Sequence, residues 1–126
     1  MIEIGKVFFC ESVSYYPDRS PREFINQISS VKMQVYPDFF QCNVVVNIIH
    51  SEPLDNLLSI RMRENNSYIT IFESAPIFLS SNAPTEPNTE MGMIVPIETD
   101  IPEPGDYIIE ILLDSDVKHK EQLSFT

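Results

Sequence analysis

The chain has 126 residues, 43% of them hydrophobic, and a formal net charge of −11. That length suits one domain with a core of its own, and no apolar run approaches the roughly 20 residues that a membrane-spanning helix needs. The charge is segregated: Glu64 to Asp116 holds eleven acids and no lysine or arginine, while eight acids and eight bases cancel elsewhere. This argues against direct nucleic-acid binding and against an anionic membrane surface.

Taken in order, Met1-Ile2-Glu3-Ile4-Gly5-Lys6 lacks the basic, apolar and small-residue regions of an export signal, so a cytoplasmic location is expected. Ile4 to Cys10 reads as a first strand, and Ser14 to Pro21 as a loop rich in turn formers. Phe24 to Gln27 fits either a turn of helix or the approach to a strand. Val31, Met33 and Val35 alternate with Lys32 and Gln34, the pattern of a half-buried strand ended by Tyr36-Pro37-Asp38.

Phe39 to His50 is the longest β-like run. Phe40, Cys42, Val44, Val46 and Ile48 share the face that should meet the core, which leaves Val45 and Ile49 on the opposite side. After the break at 51–56, Leu58, Ile60 and Met62 alternate with Ser59, Arg61 and Arg63. Asn65-Asn66 suits the positive-φ positions of a hairpin turn, with Tyr68 to Glu73 returning. Pro76 bends the chain before Ile77-Phe78-Leu79, and Ser80 to Glu90 reads as an exposed loop. Met93 to Ile97 is a short strand that Pro96 assigns to an edge or a bulge.

The end of the chain organises the rest. Ile101-Pro102-Glu103-Pro104-Gly105-Asp106-Tyr107 is a rigid turn. Tyr107, Ile109, Ile111 and Leu113 then point to one side of a strand, with Ile108, Glu110, Leu112 and Asp114 on the other. Asp114-Ser115-Asp116 turns the chain, and Lys118 to Phe125 returns. Seven or eight strands with regular turns and no long amphipathic helix predict an all-β, antiparallel, immunoglobulin-like β-sandwich over residues 1–126. Tyr107 fits either the tyrosine-corner position of such folds or a core aromatic with its hydroxyl at the rim.

The Ile101–Tyr107 turn, the alternating strand after it and the closing strand that ends in Phe125 resemble a family of small bacterial single-domain β-sandwiches of unknown function. Tyr36-Pro37-Asp38-Phe39-Phe40, leading into an apolar strand, is similar to the same pattern, although Asp114-Ser115-Asp116 stands where the family has an Asp-Gly turn. The resemblance implies a sandwich of immunoglobulin-like outline and carries no catalytic residues.

Chemistry is sparse. Gly5, Gly92 and Gly105 make no phosphate-binding loop, His50 and His119 lie outside zinc-ligand spacing, and no G-x-S-x-G elbow occurs. The carboxylates of Asp100, Glu103 and Asp106 and those of Asp114 and Asp116 fall at opposite ends of one strand, some 20 Å apart, and form no single calcium site. Asn65-Asn66-Ser67 matches a glycosylation pattern that a hairpin turn explains better. Cys10 and Cys42 read as reduced, buried thiols, since an inter-sheet disulfide needs an oxidising compartment. No catalytic, cofactor or metal site is expected.

The leading expectation is therefore a non-enzymatic interaction or structural module. It docks to another protein, or to itself as a homo-oligomer, through an outer sheet face and the acidic C-terminal half. Ile108, Glu110, Leu112, Asp114, Val45 and Ile49 would form that surface if their two strands are neighbours. The rivals are a small-ligand or carbohydrate-binding sandwich using Tyr15, Tyr16, Tyr68 and Phe72, and an accessory subunit of an enzyme complex.

Overall fold

A computed structural model describes residues 2–86 and 88–126; Met1, and Pro87 of the anticipated Ser80–Glu90 loop, lie outside the described residues. Ten strands and no helix are found among those described: β1 (Ile2–Tyr15), β2 (Pro21–Ile28), β3 (Ser30–Val31), β4 (Asp38–His50), β5 (Leu54–Glu64), β6 (Thr70–Glu73), β7 (Ile77–Ser81), β8 (Thr89–Ile101), β9 (Gly105–Leu113) and β10 (Asp116–Phe125). They form two sheets. One has the order β2-β1-β4-β8, the other β3-β10-β9-β5-β6, with β7 also paired to β5. Every pairing is antiparallel except the short β3–β10 contact.

The alternating runs do what their period demands. In β4, Cys42, Val44, Val46 and Ile48 are buried. In β5, Leu58, Ile60 and Met62 are sealed, as are Tyr107, Ile109 and Ile111 in β9. These residues interleave between the sheets as one core. At one end Phe125 stands edge-on to both Phe40 of the facing sheet (5.0 Å) and Tyr107 (5.2 Å). The Tyr107 hydroxyl donates to the carbonyl of Glu103 at 2.7 Å, clamping the turn by which the chain crosses from β8 to β9. This is the tyrosine-corner arrangement. Asp114 and Ser115 carry φ of 52° and 71°, the two positive values that a two-residue type I′ hairpin needs.

Several expectations change. Phe24 to Gln27 belongs to β2, an edge strand interrupted by the positive φ of Asn26. The strand expected over Val31–Val35 shrinks to Ser30–Val31, and Val35 is 61% exposed. There the chain is held instead through Thr126, whose carbonyl accepts from the Met33 N–H (3.0 Å) and the Tyr36 hydroxyl (2.9 Å). Beyond Asn65-Asn66, the positive φ falls on Tyr68 (59°), whose N–H donates to Glu64 O. Met93–Ile97 is the middle of the 13-residue β8; Pro96 is tolerated because β8 is an edge. Ser74 splices β6 to β7 along β5: its hydroxyl accepts from Ile60 N and its N–H donates to Ile60 O, both at 2.9 Å.

Cys10 and Cys42 are both free and buried. Burial pushes the Cys42 thiol up to about 12, with the neighbouring Cys10 adding to the rise, and burial raises Cys10 as well. Native protein at pH 8 is therefore expected to show no fast reaction with a disulfide reagent, and two thiols after unfolding. Fast labelling of the folded protein would contradict this.

Candidate docking surface

A sandwich presents two outer faces, and the anticipated docking residues are divided between them. Val45 and Ile49 lie on β4 in the four-stranded sheet, whereas Ile108, Glu110, Leu112 and Asp114 lie on or just after β9 in the other sheet. The single patch expected from neighbouring β4 and β9 strands is corrected. The two strands belong to opposite sheets, so their outward side chains point away from each other.

On the four-stranded sheet, Val45 is paired across to Phe8 of β1 and Ile94 of β8. Directly opposed residues share a face, and Phe24 of β2 meets Phe8 edge-on at 5.1 Å. Phe8, Val45 and Ile94 thus form an apolar row across β1, β4 and β8 that the Phe24 ring extends; Val45 is buried, Phe8 and Ile94 are half-buried and Phe24 is exposed. Ile49 is flanked by Glu3 and Glu90 and leans over Gly5, where a Cβ would sit 3.0 Å from its Cδ1. The outward positions of β8 also carry Glu98, opposite Gln41, and Asp100, opposite Phe39. The Lys6 Nζ lies 5.2 Å from the Phe8 ring centroid. Four acids therefore rim the β4–β8 side of the row, while Lys6 and, on β2, Arg22 lie at its other end.

The other outer face is a charge ladder. Lys120, Glu110, Arg61 and Glu73 stand opposite one another across β10, β9, β5 and β6. Glu110 is only 4% exposed. Its Oε1 takes the Arg61 Nε–H at 2.8 Å and lies 2.9 Å from Arg63 Nε, the latter without hydrogen-bond alignment. Leu112 is buried and Ile108 half-buried. This face is thus largely occupied with itself, and the acid expected to rim it is neutralised by arginines of β5.

Asp114 is a structural clamp. Its Oδ1 accepts from Leu57 N (2.9 Å) and its Oδ2 from Asn56 Nδ2 (2.6 Å). The Leu57 N–H, the Asn56 amide and then nearby Lys118 hold its carboxyl below the usual carboxylate range. A depressed carboxylate contributes stability that is present above its unfolded value, near pH 4, and lost as pH falls through the folded value. Asp114→Asn, which tolerates the same positive φ, should therefore flatten the decline of Tm below about pH 4. An unchanged acid decline in this variant would refute that role.

Phe8, Phe24 and Ile94 are the surface residues that sequence reasoning missed. Phe8 was hidden because a bulge between Ile4 and Val7 shifts the alternation within β1. Of the proposed aromatic platform, Tyr15 and Tyr16 are exposed on the β1–β2 hairpin, Tyr68 is exposed on the turn after β5, and Phe72 packs against the core. An open cleft of about 580 Å³ lies elsewhere, floored by Ile28, Val31 and Phe40, with Phe39, Glu11 and Lys32 around it.

Solved structures match the chain over nearly its whole length. An immunoglobulin-like protein from Pseudomonas aeruginosa aligns with 100% of this chain and 97% of its own, with a TM-score of 0.51 and 10% identity. The fold is immunoglobulin-like. The C-terminal domain of Wzt aligns with 99% of this chain and 73% of its own (TM-score 0.54, 9% identity). The Pseudomonas fluorescens alkylpurine DNA glycosylase AlkC, solved bound to DNA containing an abasic-site analogue, aligns with 98% of this chain (TM-score 0.54, 9% identity); the chain spans only 30% of that enzyme's length. No family model matches, and no curated protein matches.

Proposed function

We propose that this chain is a non-enzymatic interaction module of a bacterial cytoplasmic protein that binds a basic partner protein through the outer face of its four-stranded sheet. The observation that carries this reading is the apolar row Phe24–Phe8–Val45–Ile94, rimmed by Glu3, Glu90, Glu98 and Asp100. A solvated sheet face would carry polar side chains where Phe8 and Ile94 stand, and an apolar strip inside a charged rim is the common anatomy of a protein interface. The acids select a basic partner and speed its approach. They also argue against the DNA contact of the AlkC enzyme, because phosphate binding needs lysine and arginine.

Ile94→Lys and Glu98→Lys, made separately, test this reading. Partners retained from host extract by the wild type should be lost from the Ile94 variant and weakened at least tenfold by the Glu98 variant. Tm should stay unchanged, and binding should weaken as salt rises. Retention of the same partners by both variants would sink the reading. The cleft beside Phe39 favours a second reading, a small-ligand site with the exposed ring (55%) as its wall. Saccharide binding abolished by Phe39→Ala would favour it.

A further inference from the structure

The two edges of the four-stranded sheet are treated differently by the sequence. At one edge, β8 carries Pro96, which can donate no hydrogen bond, together with outward Glu90, Glu98 and Asp100. Thr99 of that strand is also engaged, donating to Ile71 O of β6 at 2.9 Å. These features block the approach of another strand. The opposite edge, β2, carries one charge of each sign, Arg22 and Glu23, where β8 carries three acids. Its eight residues are exposed but for half-buried Ile28, its outer side pairs with no strand among those described, and its proline is confined to position 21. Four of the eleven exposed large hydrophobics among the described residues, Tyr15, Tyr16, Phe24 and Ile25, sit on this one hairpin.

Charge separates the two edges as well. The acids at 64–116 that give the molecule its −11 contribute nothing to β2. Around β2, Glu11, Asp18 and Glu23 are matched by Lys6, Arg19 and Arg22. Two copies meeting at β2 bring their balanced halves together and keep their acidic halves apart; meeting at β8 would do the reverse. Asn26, the one positive-φ residue in β2 (55°), turns its side chain inward to donate to Glu11 Oε2 at 2.8 Å. Residues 22–25 are left as regular strand.

We infer that β2 is a self-pairing edge. Two copies of this chain join β2 to β2 antiparallel about a two-fold axis, giving one eight-stranded sheet. An isologous contact of this kind closes on itself and leaves no further β2 edge open. Pairing about Phe24 sets the two Phe24 rings side by side, and the apolar row described above then runs unbroken across both copies. The occupant of this edge is a second copy, so the inference stands apart from the basic partner proposed for the sheet face.

Sedimentation equilibrium of the full chain over the micromolar to hundred-micromolar range tests it, alongside hydrogen exchange. The wild type is expected to rise from 14.5 kDa to twice that mass. Because two copies of like net charge repel, the dimer should tighten as salt goes from low to physiological, the opposite of the trend expected for the basic partner. Exchange at residues 22–25 should slow as concentration rises. Ile25→Lys should keep the chain monomeric with Tm unchanged, while Ile94→Lys should still dimerise. A wild type that stays monomeric throughout, or an Ile25 variant that dimerises normally, would overturn the inference. So would a dimer without concentration-dependent protection at 22–25, which would place the second copy, or the exposed tyrosines, in some other contact.

Discussion

Glu110→Ala is expected to cost about 3 kcal/mol, the lower end of the 3–5 kcal/mol typical when one partner is removed from a buried ion pair. The lower end applies because Arg61 and Arg63 keep 21% and 29% of their side-chain surface exposed. Two guanidiniums would be left facing each other on β5 without their shared carboxylate. In a domain of this size the loss corresponds to a fall in Tm of roughly 10 °C. Replacing Glu110 and Arg61 together by leucine should cost less than the alanine substitution alone, since only Arg63, the more exposed of the two guanidiniums, then loses its carboxylate. Urea titrations of the three proteins measure this. A single variant as stable as wild type would mean that the ladder is solvated and contributes little.

The second large effect is at Phe125, next to last in the chain yet only 1% exposed. Its ring stands edge-on to both Phe40 and Tyr107, so it ties the two sheets together at the tyrosine-corner end. Phe125→Ala should cost about 3–5 kcal/mol, the range for deleting a buried aromatic, against a total of about 5–15 kcal/mol for a domain. Phe125→Leu should recover most of that loss. The same denaturation series decides it; a cost below about 1 kcal/mol would show that the end closes without this ring.

What could be read from the residues depended on how each strand is used. Strands buried on one face announce themselves, and the inward sets of β4, β5 and β9 were legible residue by residue. β2 was not. An edge strand with nearly every side chain exposed has no alternation to detect, so Phe24 to Gln27 gave no clear period. Val31, Met33 and Val35 alternate but do not continue as strand, because after Val31 the segment bonds to Thr126 instead of to a sheet. Period two also revealed that Val45, Ile49, Ile108 and Leu112 face outward. It could not reveal that β4 and β9 lie in different sheets, since strand order rests on contacts between residues far apart in sequence. The arginines that neutralise Glu110 escaped for the same reason: they lie on β5, nearly fifty residues away.

That strand order has a consequence during synthesis. β4, whose Val44, Val46 and Ile48 are core residues, is covered on one side by β1, already made, but its other neighbour β8 follows only after about 40 more residues. At about 5–20 residues per second this is a wait on the order of 2–8 s. The facing sheet is slower still to complete, because β5 needs β9 and the aromatic closure needs Phe125. The nascent chain therefore carries the Val44–Ile48 stretch uncovered until β8, and then β9 and β10, have emerged. Hydrophobic surface exposed for seconds is what holdase chaperones recognise, and it makes the yield of folded protein sensitive to elongation rate and temperature in a way that equilibrium stability would not foretell.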